Sequence, residues 1–439
     1  MTFFTDNQTK RDLNLIDRYS NKSVYAIFNQ VKTLGASRLL EKMFNNPLID
    51  HKSINARNSI FKFFGNLNIE FPLKDEELLN VESYLQTGGI GSLASFCNTA
   101  RIVTLKLIGV WEEFDLRTSQ ILTTIKFCNQ MKRFISQILV SGENNPITDE
   151  LKTAFEFLDT NIKENWQHES VQISFSEIFA YDHMFRVHAY KKLVDLISLA
   201  HSLDLYLAVS LVSRKNDFTY AEALADKHNI LSIANCRNPL VKYAKGNSIE
   251  INEIENLLFL TGANMAGKST FMKSVGIALY LAHMGFPVPA DKMKFSVKDG
   301  LYTSINISDN LEQGHSHFYA EVRRVKEVAE AVGGSKKLII IFDELFKGTN
   351  VKDAYDATLA VTQAFSRYKQ CGFIISTHII EVTEELRESK ENIQFYFLPT
   401  GMNNKIPVYT YELKKGVSDD RNGMLLIQKE GILDMLQRC

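Results

Sequence analysis

The sequence predicts a mainly α-helical domain over residues 1–238 followed by an α/β domain over residues 239–439, and three observations carry that division. The first is punctuation. Before Asn238 there are only three prolines, Pro47, Pro72 and Pro146, and no glycine falls between Gly142 and Gly246. Glycine and proline break helices, so their scarcity favours long ones. The second is spacing. Phe185, Ala189, Leu193, Leu196, Ile197 and Ala200 recur mostly at threes and fours, as one face of a helix does. The third is a change of texture past Pro239, where short β-rich runs bounded by breakers alternate with helical stretches.

In chain order, Ile102 to Val140 has helical spacing with Gly109 as a blemish, and Ser141 to Glu150, containing Gly142-Glu143-Asn144-Asn145-Pro146, is a turn between helices. The boundary falls near residues 235–245. Beyond it, Asn256 to Leu260, Lys337 to Phe342 and Gly372 to Ser376 suit strands buried on both faces of a parallel sheet. Strands alternating with helices make an α/β domain.

Composition limits the function classes. The 439 residues are 45% hydrophobic and 23% charged, ordinary for a globular chain of roughly two to four domains. Apolar runs fall short of the ~18–20 residues that span a bilayer, and no basic-then-apolar leader opens the chain. Cys97, Cys128, Cys236, Cys371 and Cys439 lie far apart, which suggests neither a zinc knuckle nor a disulfide framework. The expectation is a cytoplasmic protein without a membrane partner. A net charge of −1 gives no overall basic field, so contact with nucleic acid would need a local patch.

Four motifs carry chemistry. Gly262-Ala263-Asn264-Met265-Ala266-Gly267-Lys268-Ser269-Thr270 fits G-x-x-x-x-G-K-[ST], with a strand before it and a helix, Thr270 to Leu281, after it. Glycines let successive N–H groups face phosphate, and the helix N-terminus adds a favourable partial charge. Lys268 supplies a point charge to phosphate, and the Ser269 hydroxyl can ligate Mg²⁺. The strand Leu338 to Phe342 ends in Asp343-Glu344: Asp343 can hold Mg²⁺, and Glu344 can orient and deprotonate a water. His378 follows the strand at Phe373 to Ser376, where it can reach a γ-phosphate or that water. Gly314-His315-Ser316-His317-Phe318 precedes a helix at Tyr319 to Val332. A phosphate-facing loop is favoured there over a metal site, because no carboxylate or Cys completes a ligand set nearby.

Together, Thr-Gly-Ala-Asn-Met-Ala-Gly-Lys-Ser-Thr, Gly-His-Ser-His-Phe, Phe-Asp-Glu-Leu-Phe-Lys-Gly-Thr-Asn and Ser-Thr-His resemble the ATPase domain of the MutS family, in the ABC class of P-loop ATPases. Upstream, Thr33 to Leu40 with Pro47-Leu48, Asp204-Leu205-Tyr206 and Cys236-Arg237-Asn238-Pro239 resemble that family's helical core, or lever, domain. The resemblance implies that Gly262, Asn264, Gly267, Lys268, Ser269 and Thr270 hold the phosphates and Mg²⁺, within a loop that also contains Ala263, Met265 and Ala266. It implies that Asp343 supports Mg²⁺, that Glu344 is the catalytic base, and that His378 touches the γ-phosphate or the water. Ser316 would act in trans across a dimer, Asp356 would lie near the dimer seam, and Tyr411 would take the place of a His against adenine.

The departures bear on function. Ala263 and Ala266 stand where the family usually has Pro and Gly, and Lys347 where it usually has Arg. The core-like sequence begins around residue 20, which leaves no room for a mismatch-reading domain or connector. Phe175-Ser176-Glu177 has the spelling of the family's mismatch wedge but lies within the core-like part. The implied function is a Mg²⁺-dependent ATPase of the DNA mismatch repair type, a homodimer whose ATP site switches helical levers on DNA, selective for DNA structure rather than for mismatches. The alternative is a nucleotide-gated protein-interaction ATPase that no longer binds DNA.

Overall fold

A computed structural model describes residues 2–17, 22–86, 101–102, 104, 108–141, 145–162, 174–263, 265–305, 317–389, 392–403, 406–417 and 435. It forms two compact units that do not follow the two halves of the chain. One comprises residues 1–27, 43–58 and 212–439; the other comprises 28–42 and 59–211. The division expected at residue 238 is thus replaced by one in which early residues join the α/β unit. The reason is visible in the pairing: Phe4–Thr5 is a strand, and it pairs in parallel with Gly300–Ser304. Thr219–Tyr220, Glu222–Leu224 and Leu231–Cys236 are also strands, although they precede residue 238.

In the α/β unit, seven strands among the described residues form the main sheet. Their spatial order is Phe4–Thr5, Gly300–Ser304, Leu338–Phe342, Gly372–Ser376, Leu257–Thr261, Ile393–Phe397 and Lys414–Lys415. The pairs are parallel except the last. Every residue of Leu257–Thr261, Gly300–Ser304, Leu338–Phe342 and Gly372–Ser376 is buried, as expected of strands covered on both faces. Successive side chains point to opposite faces. Leu257, Phe259, Ile340, Phe342, Phe373 and Ile375 therefore share one core with Val328, Phe365, Val382 and Leu386 from the helices His317–Gly333, Val351–Ser366 and Glu381–Glu388. A second sheet orders Glu222–Leu224, Lys292–Ser296, Leu231–Cys236 and Asn247–Ile251.

The helical unit is built on parts of Asp75–Gln86, Glu112–Val140, Thr148–Asn161, Phe175–His183 and Tyr190–Lys215. Its core includes Phe64, Leu78, Ile121, Met131, Ile135, Leu151, Phe185 and Leu203. The helix expected through Phe185 is not uniform: Met184–His188 is a π-turn and regular helix resumes at Tyr190. The inserted residue lets Phe185 and Ala189 stay buried with Leu193, Leu196, Ile197 and Ala200 although their spacing would drift on a straight helix. The helix Tyr190–Lys215 is, contrary to the sequence expectation, long and apolar enough to cross a membrane. Two thirds of its apolar window, 67%, is buried inside the protein, which accounts for that composition by packing. Glu177 closes a capping box with Ser174, accepting from its N–H at 2.8 Å and its hydroxyl at 2.6 Å. The Phe175-Ser176-Glu177 spelling thus falls at a helix start, where its carboxylate serves as a cap. Cys128, Cys236 and Cys371 are free and buried, and burial pushes the Cys128 and Cys236 thiols up to about 12.

Candidate functional site

The site grows from the loop between Leu257–Thr261 and the helix Lys268–His283. A buried strand, apolar from Leu257 to Leu260, delivers the chain to the sheet's C-terminal edge, and the turn that follows needs left-handed backbone. Gly262 has φ 135° and Gly267 φ 104°. A Cβ at Gly262 would lie 3.2 Å from the Leu398 carbonyl oxygen. Ala266 is not left-handed; Met265, at φ 71°, takes that conformation instead and is exposed. The Ala at 266 is therefore compatible with the turn. Asn264 lies outside the described residues.

Gly267 caps the helix, so its first N–H groups open toward the loop. Lys268 is only 4% exposed, and its ammonium donates to the carbonyls of Gly262 at 2.7 Å and Ala263 at 3.2 Å. Burial pushes the Lys268 pKa down, while the Glu344 and Asp343 carboxylates pull it back up. Ser269 and Thr270 are exposed at the helix start.

The acidic pair lies two strands away, with Gly372–Ser376 between. Ser376, at the end of that intervening strand, links both acids. Its hydroxyl donates to Asp343 Oδ1 at 2.5 Å and accepts the Glu344 N–H at 2.9 Å. The Asp343 N–H donates to the Ser304 carbonyl at 2.9 Å, fixing the strand end from the other side. Glu344 has φ 53°, which turns its side chain out of the strand, and Lys347 stands 3.8 Å from its carboxylate. Ser376 was not singled out from sequence; its signal was its position just before Thr377-His378.

A cavity of about 610 Å³ brings together Ala263, Met265, Gly267, Lys268, Ser269, Thr270, Glu344 and Tyr411. Asp343 and His378 do not line it; His378 is exposed after its strand. Ser316, with Gly314 and His315, lies outside the described residues. Tyr411 does not belong to a strand. It follows Ile406–Tyr409 with φ 57°, and its ring edge is 3.0 Å from where a Gly267 Cβ would stand. Asn247 holds that backbone: its amide donates to the Tyr411 carbonyl at 3.0 Å, and its carbonyl accepts the Leu413 N–H at 2.7 Å.

The sequence also left unmarked one whole wall of the cavity, the segment with Asn238, Val241, Lys242, Tyr243 and Lys245. An aromatic between two lysines after an Asn-Pro turn was the available signal. Among the described residues no cluster of three His, Cys, Asp or Glu could hold a metal. Ser269 lines the cavity and Asp343 does not; both offer hard oxygen donors of the kind Mg²⁺ takes alongside phosphate and water.

A mostly parallel sheet flanked by helices, with a glycine loop feeding a helix over a buried lysine and paired acids two strands away, defines the class, an α/β domain. The comparisons narrow it. Residues 258–436 match the family model of MutS domain V, an ATPase domain. Over 241 residues, 53% of this chain, the sequence is 27% identical to the DNA mismatch repair protein MutS of Prochlorococcus marinus. It is 31% identical over 238 residues to the protein of that name in Fusobacterium nucleatum, and 28% over 253 residues to MutS protein homolog 4 of Homo sapiens. Each match covers 26% of the relative, so the chain spans about a quarter of the length of these curated proteins. The carboxy-terminal part of the chain is thus similar to the MutS family.

Proposed function

We propose that this chain binds and hydrolyses ATP with Mg²⁺ at a homodimer interface and couples that cycle to DNA. The observation that carries the proposal is the cavity in which the buried Lys268, the open helix start at Ser269 and Thr270, and Glu344 share one wall system. Lys268 now donates to two loop carbonyls, and a phosphate would be a far stronger acceptor for its ammonium. Mg²⁺, held by Ser269 and Asp343, would supply charge compensation for the phosphate oxygens. Ser376 keeps Asp343 in place. Glu344 would take one proton from water as its oxygen attacks the γ-phosphorus and the bond to the ADP oxygen breaks. The adenine would sit between Tyr411 and the Asn238 to Lys245 wall. Ser316 from a partner copy, and His378 on closure, are carried from the family resemblance.

The test is direct. Lys268→Ala should lose nucleotide binding in a fluorescent-nucleotide titration. Glu344→Gln should still bind but turn over about 10²–10⁴-fold more slowly. Equal turnover in Glu344→Gln and unaltered protein would remove the base assignment. The names of the relatives point to DNA mismatch repair. Filter binding to duplex, mismatched and branched DNA across salt tests that arm, since phosphate contacts give a steep salt slope. Retention of no DNA at low salt, with or without ATP, would favour a nucleotide-gated protein-interaction role.

A further inference from the structure

We propose that Asp12, far from the nucleotide motifs in sequence, is a positioning residue that sets the Mg²⁺-bearing end of the Leu338–Phe342 strand. This rests on the ATPase function proposed above. Asp12 closes the helix Asn7–Asp12 and is 2% exposed. A carboxylate that deeply buried is costly unless hydrogen bonds satisfy it. Its Oδ2 accepts from the Thr303 hydroxyl at 2.7 Å and from the Ile305 N–H at 2.9 Å, and its Oδ1 accepts from Gln8 at 2.9 Å.

The two donors on Oδ2 flank Ser304, and the Ser304 carbonyl is the acceptor for the Asp343 N–H. One buried oxygen therefore fixes the backbone on both sides of the group that fixes Asp343. The same helix supplies a second hold, because the Thr303 N–H donates to the Thr9 hydroxyl at 2.9 Å. Arg324 closes the array from the helix His317–Gly333. It donates to the Thr303 carbonyl at 2.8 Å and to the Thr9 hydroxyl at 3.3 Å, and it pairs with Asp6. Thr9, Asp12 and Thr303 are all buried, so water does not compete for these bonds.

Asp343 is thus gripped by two independent devices: Ser376 on its carboxylate, and Asp12, through Thr303 to Ile305, on its amide. Loosening the second should displace the carboxylate without touching Lys268 or the loop. The expected signature is weakened use of Mg²⁺ with nucleotide affinity retained.

The experiment uses the full chain with Asp12→Asn, Thr303→Val and, as the hydroxyl-preserving control, Thr303→Ser. Hydrogen exchange is read first, without nucleotide. The Ile305 and Asp343 amides should exchange about tenfold faster or more in Asp12→Asn and Thr303→Val, while amides of Leu257–Thr261 keep their protection. ATP turnover is then titrated with Mg²⁺. Both variants should show about a tenfold lower kcat and a several-fold higher half-saturating Mg²⁺, and Thr303→Ser should restore both. Metal-free affinity for a fluorescent ATP analogue should stay within about twofold. Unchanged exchange at Asp343 overturns the proposal. So does altered exchange with an unmoved Mg²⁺ midpoint, which would make Asp12 a stability residue alone. If the unaltered protein hydrolyses no ATP, the ATPase proposal fails by itself, and the exchange data still decide whether the brace exists.

Discussion

Tyr411 illustrates how single residues set this site. A tyrosine held at φ 57° is strained, and Asn247 is what holds it, with one amide spanning the Tyr411 carbonyl and the Leu413 N–H. Asn247→Ala should weaken ATP binding about 3–10-fold in an equilibrium titration, with Tyr411→Ala at least as severe and Tyr411→His mild. An Asn247→Ala protein that binds as tightly as its parent would remove the clamp. The phosphate loop, Lys268 and the acidic pair were expected from motifs with fixed spacing, whereas Tyr411 came only from the family resemblance. Asn247 was not expected, because its hydrogen bonds to a distant segment leave no local pattern, and Ser376 stood beside Thr377-His378 with nothing local to mark its link to the acidic pair. The loop's Met265 also shows the limit of spelling: the residue in doubt was Ala266, but the left-handed turn falls one position earlier. His283 gives a pH prediction at this scale. Its Nδ1 faces the Leu48 carbonyl at 2.8 Å and its Nε2 accepts the Lys298 N–H at 3.4 Å, so the ring is neutral. Burial, opposed by that carbonyl, takes its pKa from 6.5 down to about 3. The unfolded chain binds a proton that the folded one refuses, so stability is fully present above pH 6.5 and falls as pH drops toward 3. Urea midpoints between pH 7 and pH 4.5 should fall less steeply in His283→Gln than in the unaltered chain; identical slopes would refute this.

Among elements, the three strands expected from continuous apolar runs differ from their observed bounds by at most a residue at either end, whereas Gly300–Ser304, which lacks such a run, was not expected. Two-residue edge strands such as Phe4–Thr5 and Lys414–Lys415 carry no period and could not be read. The π-turn at Met184–His188 hid for the opposite reason, since its neighbours keep a helical rhythm. Beside it Asp182, 1% exposed, sits between two guanidiniums. Arg117 reaches one oxygen at 3.3 Å and Arg186 the other at 3.5 Å, and the Tyr84 hydroxyl donates at 3.0 Å. Burial and the Asp182 charge raise the Tyr84 hydroxyl's pKa well above its usual value, so it stays a donor. Asp182→Asn leaves two buried cations without their anion and should cost about 3–5 kcal/mol in chemical denaturation. A loss below 1 kcal/mol, roughly the worth of a surface pair, would mean the cluster is not a structural anchor.

For the whole molecule, the change of texture near Pro239 located the α/β sequence but not the unit that contains it. That unit recruits residues 1–27 and 43–58, and such recruitment is written in long-range pairing rather than composition. A fragment of residues 239–439 would lack both the Phe4–Thr5 strand and the Asp12 array. It should therefore melt well below the full chain's α/β unit, by several degrees at the ~4–8 °C per kcal/mol of a small domain. An equally stable fragment would show that these early residues are ornamental. The same recruitment orders events on the ribosome. Thr9 and its partner Thr303 are 294 residues apart. At about 5–20 residues per second, the first strand emerges roughly 15–60 s before the chain it must pair with. During that wait Phe3 and Leu13 have no buried place to go, which makes this nascent segment a natural client for chaperones that hold short apolar segments.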